Sequence, residues 1–283
     1  MLPKQLLLDS NVYLARTSTS ALPSAPDEAG ASSDEDKCRT IASPYSNNTA
    51  RSLVARLLEE ADWDPDHAHT SNWNPFKALI CPGDTVVLKP NWVNHQNHSG
   101  RGLDCLVTHA SVLGAVLDLV LRAEPGKVIV GDAPIQGCDL PKLLELAGYN
   151  TLKGHYAHAG AKVEWRDFRR TVVTNPRGVW GRQTGLRPLE DYVLFDLGAE
   201  SLLDPIAGNS ERFRSLQYDP DLMRQAHAPG LHRYQIAREI IEADVVINIP
   251  KLKGHKKACV TGALKNLVGI IRPQLATEYV RVP

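Results

Sequence analysis

The sequence predicts an α/β domain: a mostly parallel sheet with helices on both faces, and an irregular insertion or lid around residues 198–231. Three observations carry that expectation. Short apolar runs, "TVVLK" from Thr85, "KVIVGD" from Lys127 and "DVVINIP" from Asp244, read as buried strands. Segments of helical spacing lie between strands, and such alternation implies parallel strands covered on both sides. Each of the three runs also ends in polar residues, at the carboxyl rim where open parallel sheets bind ligands.

Taken in chain order, "RTSTSALPSAPDEAGASSDEDK" (Arg16 to Lys37) is rich in Ser, Ala, Pro and acids without periodicity, so residues 1–45 are expected to form a flexible tether. The α/β domain then occupies 46–283. It opens with "NTARSLVARLLEEA", which places Leu53, Ala55, Leu57 and Leu58 in one helical stripe. "TVVLK" is the first strand, and "THASVLGAVLDLVLRA" a helix with Thr108 as its N-cap. "KVIVGD" is followed by the helix "DLPKLLELAGY", ending near Gly148. "AKVEWRD" and "DYVLFDLG" add two strands. "YQIAREIIEA" is read as a helix, "DVVINIP" as a central strand and "ACVTGALKNLVG" as the last helix. The chain stops at "LATEYVRVP" without a closing element, so a domain truncated at its C-terminal end is expected.

Bulk composition narrows the function classes. Lys plus Arg equals Asp plus Glu at 32 each in 283 residues, which argues against a nucleic-acid or membrane-surface partner. The five cysteines are scattered with no C-x-x-C pair, as expected for reduced thiols in the cytoplasm. Neither a signal peptide nor a membrane-spanning run is legible. There is no G-x-G-x-x-G after the first strand and no G-x-x-x-x-G-K-[ST], so a nucleotide cofactor has no fingerprint here. Oligomeric state is not legible.

The chemistry concentrates at the strand ends. Lys89 and Asn91 follow the first strand, Asp132 the second, and Asn248, Lys251 and Lys253 the strand "DVVINIP". If "KLKGH" is extended, Lys251, Lys253 and His255 point to one side. A helix beginning near Lys257 would aim its free N–H groups at the same crevice, with Thr261 and Lys265 four apart on one helical face beside Asn266. Together these form a receptor for phosphate or carboxylate. His109, in "THAS", is placed either as a general acid or base or as a helix cap. Asp132, in basic surroundings, is expected to have a lowered pKa. It could hold a metal, orient a lysine, bind a hydroxyl or simply pair with Lys89 or Lys251. His95 and His98 lack a third ligand and read as surface residues, and Cys259 reads as a buried apolar filler.

The segments "VVLKPNWV", "THASVLGAVLDLVL", "KVIVGDAP", "AGY" and "ADVVINIPKLKGH…TGALKNLVG", in that order over roughly 84–272, resemble the domain of unknown function 362 family. The resemblance implies that Lys89, Asn91, His109, Asp132, Asn248, Lys251, Lys253, His255, Lys265 and Asn266 fall on the family's motif positions. Many relatives carry a ferredoxin-like segment and are described as iron–sulfur proteins, a label that the cysteines of this chain do not support. Relatives also continue with a basic or histidine segment that "IIRPQLATEYVRVP" does not clearly supply.

The expectation is therefore a cytoplasmic enzyme that binds an anionic, phosphorylated or carboxylated metabolite. Lys89, Asn91, Asn248, Lys251, Lys253, Thr261, Lys265 and Asn266 would bind the substrate. His109, Asp132 and His255 would serve as acid–base groups or as ligands for a divalent metal. Two alternatives come from other classes: a redox metalloprotein whose iron–sulfur or other metal centre is supplied partly by another chain, and a non-catalytic anion-binding module.

Overall fold

The computed structural model of the chain describes residues 12–16, 49–173, 183–212, 220–255 and 258–272. The expected tether over 1–45 lies outside the described residues except for 12–16, as does the terminal segment from 273.

The frame is α/β. Helix α1 (Thr49–Glu60) precedes strand β1 (Thr85–Pro90), helix α2 (Ala110–Leu121) and strand β2 (Lys127–Asp132). Helices α3 (Leu140–Leu146) and α4 (Tyr149–His158) then lead to β3 (Val163–Asp167). The short strands β4 (Thr171–Val173) and β5 (Gln183–Gly185) form a hairpin, and β6 (Tyr192–Asp196) follows. Next come α5 (Pro220–Ala226), β7 (His227–Ala228), β8 (Leu231–Ala237), α6 (Arg238–Glu242) and β9 (Val245–Ile249). The described chain closes with β10 (Lys253–His255), β11 (Cys259–Thr261), α7 (Ala263–Asn266) and β12 (Ile271–Arg272).

Four strands pair in parallel in the order β3-β2-β1-β9. Both faces of β1 and β2 are covered, which explains their unbroken apolar runs. Val86, Leu88, Val128 and Val130 face the larger core, where α2 and α4 pack. Val87 and Ile129 face a smaller core completed by Phe168, Tyr192 and Ala237, with Ile240 and Ala243 at its edge. That second face carries α6 and an antiparallel sheet of order β12-β8-β6. Helix α2 is buried nearly all round, so it lacks a polar face. Its one acid, Asp118, accepts the Tyr156 hydroxyl at 2.6 Å and lies 3.6 Å from Arg51 of α1.

Several elements depart from the sequence expectation. "DVVINIP" is an edge strand of the sheet, and β1 and β2 are the central ones. "DYVLFDLG" does form a strand, β6, but it pairs antiparallel with β8 instead of joining the parallel set. All of "YQIA" belongs to β8, held by ladders to β6 and β12, leaving five residues for α6. Tertiary pairing here overrides local helical character. In α1 the core contacts come from Ala50, Val54, Ala55 and Leu58, so the stripe runs along 50-54-58. The cap of α2 is His109, whose ring accepts from Ser111 N, whereas Thr108 is drawn into a different contact. Helix α4 was not legible as a helix; only Tyr149, Leu152 and Tyr156 of its ten residues are buried. The described part of the 198–231 insertion forms 3-10 turns, α5 and β7, packed beside β8.

Candidate functional site

The carboxyl ends of β1, β2 and β9 meet as expected. The nearest partners there are Lys89 and Asp132, both fully buried. Lys89 Nζ donates to Asp132 Oδ1 at 2.7 Å and to the Pro90 carbonyl at 3.2 Å. Asp132 Oδ1 also accepts from Ala133 N at 2.8 Å, and Oδ2 from Trp92 N at 2.6 Å. Burial pushes the Asp132 carboxyl up, opposed by Lys89 and the two backbone N–H groups. Burial likewise pushes the Lys89 ammonium down, opposed by Asp132. The upward direction for Asp132 corrects the expectation of a lowered pKa, because complete removal from water outweighs the basic surroundings. Gly269 closes over the pair. Its carbonyl accepts from Ala133 N at 2.9 Å, and a Cβ there would lie 1.9 Å from Asp132 Oδ1 and 2.8 Å from Lys89 Nζ.

A chain of asparagines fixes the next layer. Asn91 Nδ2 donates to Asn266 Oδ1 at 3.0 Å, and Asn266 Nδ2 donates to Asn248 Oδ1 at 2.7 Å. Asn248 Nδ2 in turn donates to the Ala263 carbonyl at 2.9 Å. Asn266 Nδ2 also reaches the Lys89 carbonyl at 3.2 Å. The amides thus join β1, β9 and α7, and every amide orientation is set by its neighbour. Thr108 ties the rim from below, accepting from Asn91 N at 2.9 Å and donating to the Ile249 carbonyl at 2.7 Å. Trp92, beside it, stacks on Trp165 with centroids 6.2 Å apart and meets Tyr149 edge-on at 5.5 Å.

Above this layer lies a crevice of about 200 Å³. Lys251, Lys253, His255, Thr261 and Lys265 line it, together with Asp132, Asn91 and Asn266. Lys253 and His255 are on β10, so they share a side, as expected for an extended "KLKGH". Lys253 Nζ donates to Asn91 Oδ1 and to the Leu106 carbonyl. Desolvation is the main cause that brings the Lys253 ammonium down to about 8; Lys251 and Lys265 add to it, and Asp132 opposes it. His255 Nδ1 accepts from Ala258 N at 3.1 Å. Thr261 is buried, and its hydroxyl donates to the Lys253 carbonyl at 3.3 Å.

Four sequence expectations need correction here. The segment "ACVTGALKNLVG" is not one helix: β11 pairs antiparallel with β10, Lys253 opposite Thr261, and α7 has only four residues. β-Branched Val260 and Thr261 suit the hairpin, and Gly262 ends it. The crevice therefore has no long helix N-terminus aimed at it, and Thr261 reaches it from a strand. Cys259 is exposed, at φ 54°, instead of buried. His109 does not line the crevice; its Nδ1 accepts from Ser111 N at 3.2 Å, which assigns its ring proton to Nε2. Burial, together with Lys251, holds the His109 pKa below its ordinary value, opposed by Asp104. Lys89 and Asn248 stand behind the wall instead of in it. Lys256 and Lys257 lie outside the described residues.

Sequence reasoning missed the apolar walls, Trp92, Val93, Ile135 and Val268, and the role of Gly269. The signal for Gly269 was the glycine closing "LKNLVG". A second cavity, of about 390 Å³, opens beyond the loop that follows β2, lined in part by Gln136, Cys138, Asp167 and Arg169. The Arg169 guanidinium is spent on Asp167 and on the carbonyls of Ile135 and Cys138, so it braces the loop that forms the crevice wall. Among the described residues no group of three His, Cys, Asp or Glu side chains is placed to hold a metal ion.

An α/β domain with a lysine-lined rim at the carboxyl ends of its strands is thus defined. The chain matches the family described as "Domain of unknown function (DUF362)" over residues 86–184 and 195–281, and it belongs to that family. It is 29% identical over 193 residues to a thylakoid-associated protein of Synechocystis, a match covering 68% of this chain and 41% of that protein. The chain thus spans about two-fifths of the relative it matches. No solved structure matches. No helix among the described residues is long and apolar enough to cross a membrane.

Proposed function

We propose that the crevice binds a small anionic metabolite, phosphorylated or carboxylated, and that the chain is an enzyme acting on it in the cytoplasm. The observation that carries this reading is the charge balance of the rim. Lys251, Lys253 and Lys265 converge on one space of about 200 Å³, while Asp132, the carboxylate that lines it, is already engaged by Lys89 and two backbone N–H groups. Lysines so close together, with no ion pair among the described residues, favour an incoming anion. The apolar walls at Ile135 and Val268 give room for a short carbon skeleton beside the charged group.

In this reading Lys251 and Lys265 are point charges for the anion, and Thr261 sits beside them. Lys89 and Asn248 act through the wall, and Asn266, itself part of the lining, holds Asn91 in place. His255, inside the crevice, is the proton-transfer candidate; His109 lies outside the lining and caps α2. Calorimetric titration with inorganic phosphate tests the site. Wild type should bind, and Lys251→Ala should lose about tenfold or more in affinity, the worth of one charge-assisted contact. Unchanged affinity in Lys251→Ala would place the site elsewhere.

A further inference from the structure

We propose that Lys253 is the reactive amine of this crevice and condenses with the aldehyde or ketone carbonyl of the anionic ligand to form an imine. The inference rests on the anion-binding reading above and names the functional group that the ligand carries beside its charge.

The geometry separates Lys253 from the other lysines of the rim. Lys89 is sealed beneath Gly269 and bonded to a carboxylate, so its nitrogen is kept away from any ligand. Lys253 lines the crevice, half-buried, and its Nζ has two neutral acceptors, Asn91 Oδ1 and the Leu106 carbonyl. Asn91 cannot turn its amide nitrogen toward Lys253, because that nitrogen is committed to Asn266 Oδ1, and Asn266 is fixed in turn by Asn248. Two of the nitrogen's hydrogens are therefore placed. The remaining tetrahedral position holds either a third proton or a lone pair.

The charged groups around Lys253 decide between these. Lys251 and Lys265 repel its proton; Asp132 and Cys105 attract it, but Asp132 is already paired with Lys89. Desolvation and the two neighbouring cations bring the ammonium down to about 8, so a substantial fraction is neutral near physiological pH. A lysine beside other cations in a partly dry site is a known way to make an amine nucleophilic. The steps balance without an external reagent. The Nζ lone pair attacks the carbonyl carbon, and the carbonyl oxygen takes up a proton to give a carbinolamine. That oxygen then leaves as water with hydrogen from the nitrogen, and an N=C bond remains. The ligand's anionic group, held by Lys251 and Lys265, keeps the carbonyl beside Lys253.

The test is reductive trapping on the full chain. The protein is incubated with glyoxylate, a small anionic aldehyde, and cyanoborohydride, then digested and mapped by mass spectrometry. Lys253 should carry the adduct at about tenfold or more over exposed lysines such as Lys142. Labelling should rise with pH through about 8 and be suppressed by inorganic phosphate. In Lys251→Ala the midpoint should move upward, because one repelling charge is gone; a purely structural lysine would have no such profile. Adducts spread over lysines according to exposure, with phosphate still bound by calorimetry, would overturn the role of Lys253 and leave the anion site standing. Neither labelling nor phosphate binding would overturn both.

Discussion

Lys89 and Lys253 occupy the same rim and meet opposite fates. Lys89 is wholly enclosed, paired with Asp132 and roofed by Gly269. Lys253 sits one layer out, bonded among the described residues to two neutral oxygens and sharing a solvent-accessible crevice with two more lysines. Burial penalises both ammonium groups. What differs is the countercharge. A buried cation with a committed carboxylate becomes part of the frame, and its loss is felt as instability. A cation that lacks one keeps an unsatisfied demand, which a ligand can meet. The contrast assigns a structural role to the first lysine and the proposed ligand chemistry to the second, although the two look alike in sequence.

The strongest way to break the contrast is Asp132→Ala. It leaves Lys89 buried without its carboxylate and frees Trp92 N, while Ala133 N keeps the Gly269 carbonyl. The expected cost is about 3–5 kcal/mol of unfolding free energy, measured by urea denaturation. The loss should shrink as pH rises, since a neutral Lys89 tolerates burial better. If stability fell by less than about 1 kcal/mol, the pair would not be the structural element described here.

Gly269→Ala is the next largest. The added methyl would lie 1.9 Å from Asp132 Oδ1, so the turn after α7 must move away from the pair. Overpacking of this kind costs about 1–3 kcal/mol. Because that turn also carries Val268 of the crevice wall, phosphate affinity should fall in the same variant. A neutral effect on both would show that the roof is compliant.

Much of the frame was legible because its signals are local. The runs around Val86, Ile129 and Ile247 are apolar on both faces, and the polar residues at their ends mark the rim whatever the rest of the chain does. The convergence of Lys251, Lys253 and His255 could be anticipated for the same reason, whereas Thr261 and Lys265 were expected from a long helix that does not form. What could not be read was decided by partners distant in sequence. Whether "YQIA" is helix or strand depends on β6 and β12, and whether "DVVINIP" is central or at the edge depends on pairing order. The Asp132 pKa direction depends on how completely Gly269 and Trp92 exclude water, which no spacing rule reports. The asparagines were read as ligand groups, since sequence cannot tell an amide that faces a ligand from one that faces another amide.

The smallest expected effect separates the two lysines by pH. The folded protein releases the Lys253 proton at about 8, against 10.5 for an ordinary lysine. Between those values the unfolded chain binds more protons than the folded one, so this group makes stability rise with pH. The penalty for burying its charge is fully present below about 8 and absent above 10.5. Lys253→Met removes that contribution while leaving the Lys89 pair in place. The difference in urea midpoint, wild type minus variant, should therefore climb across that interval, the remaining lysines cancelling. A flat difference would mean that Lys253 holds its proton as a solvated lysine does. The crevice would then retain its positive charge but lose the amine that distinguishes Lys253 from its neighbours.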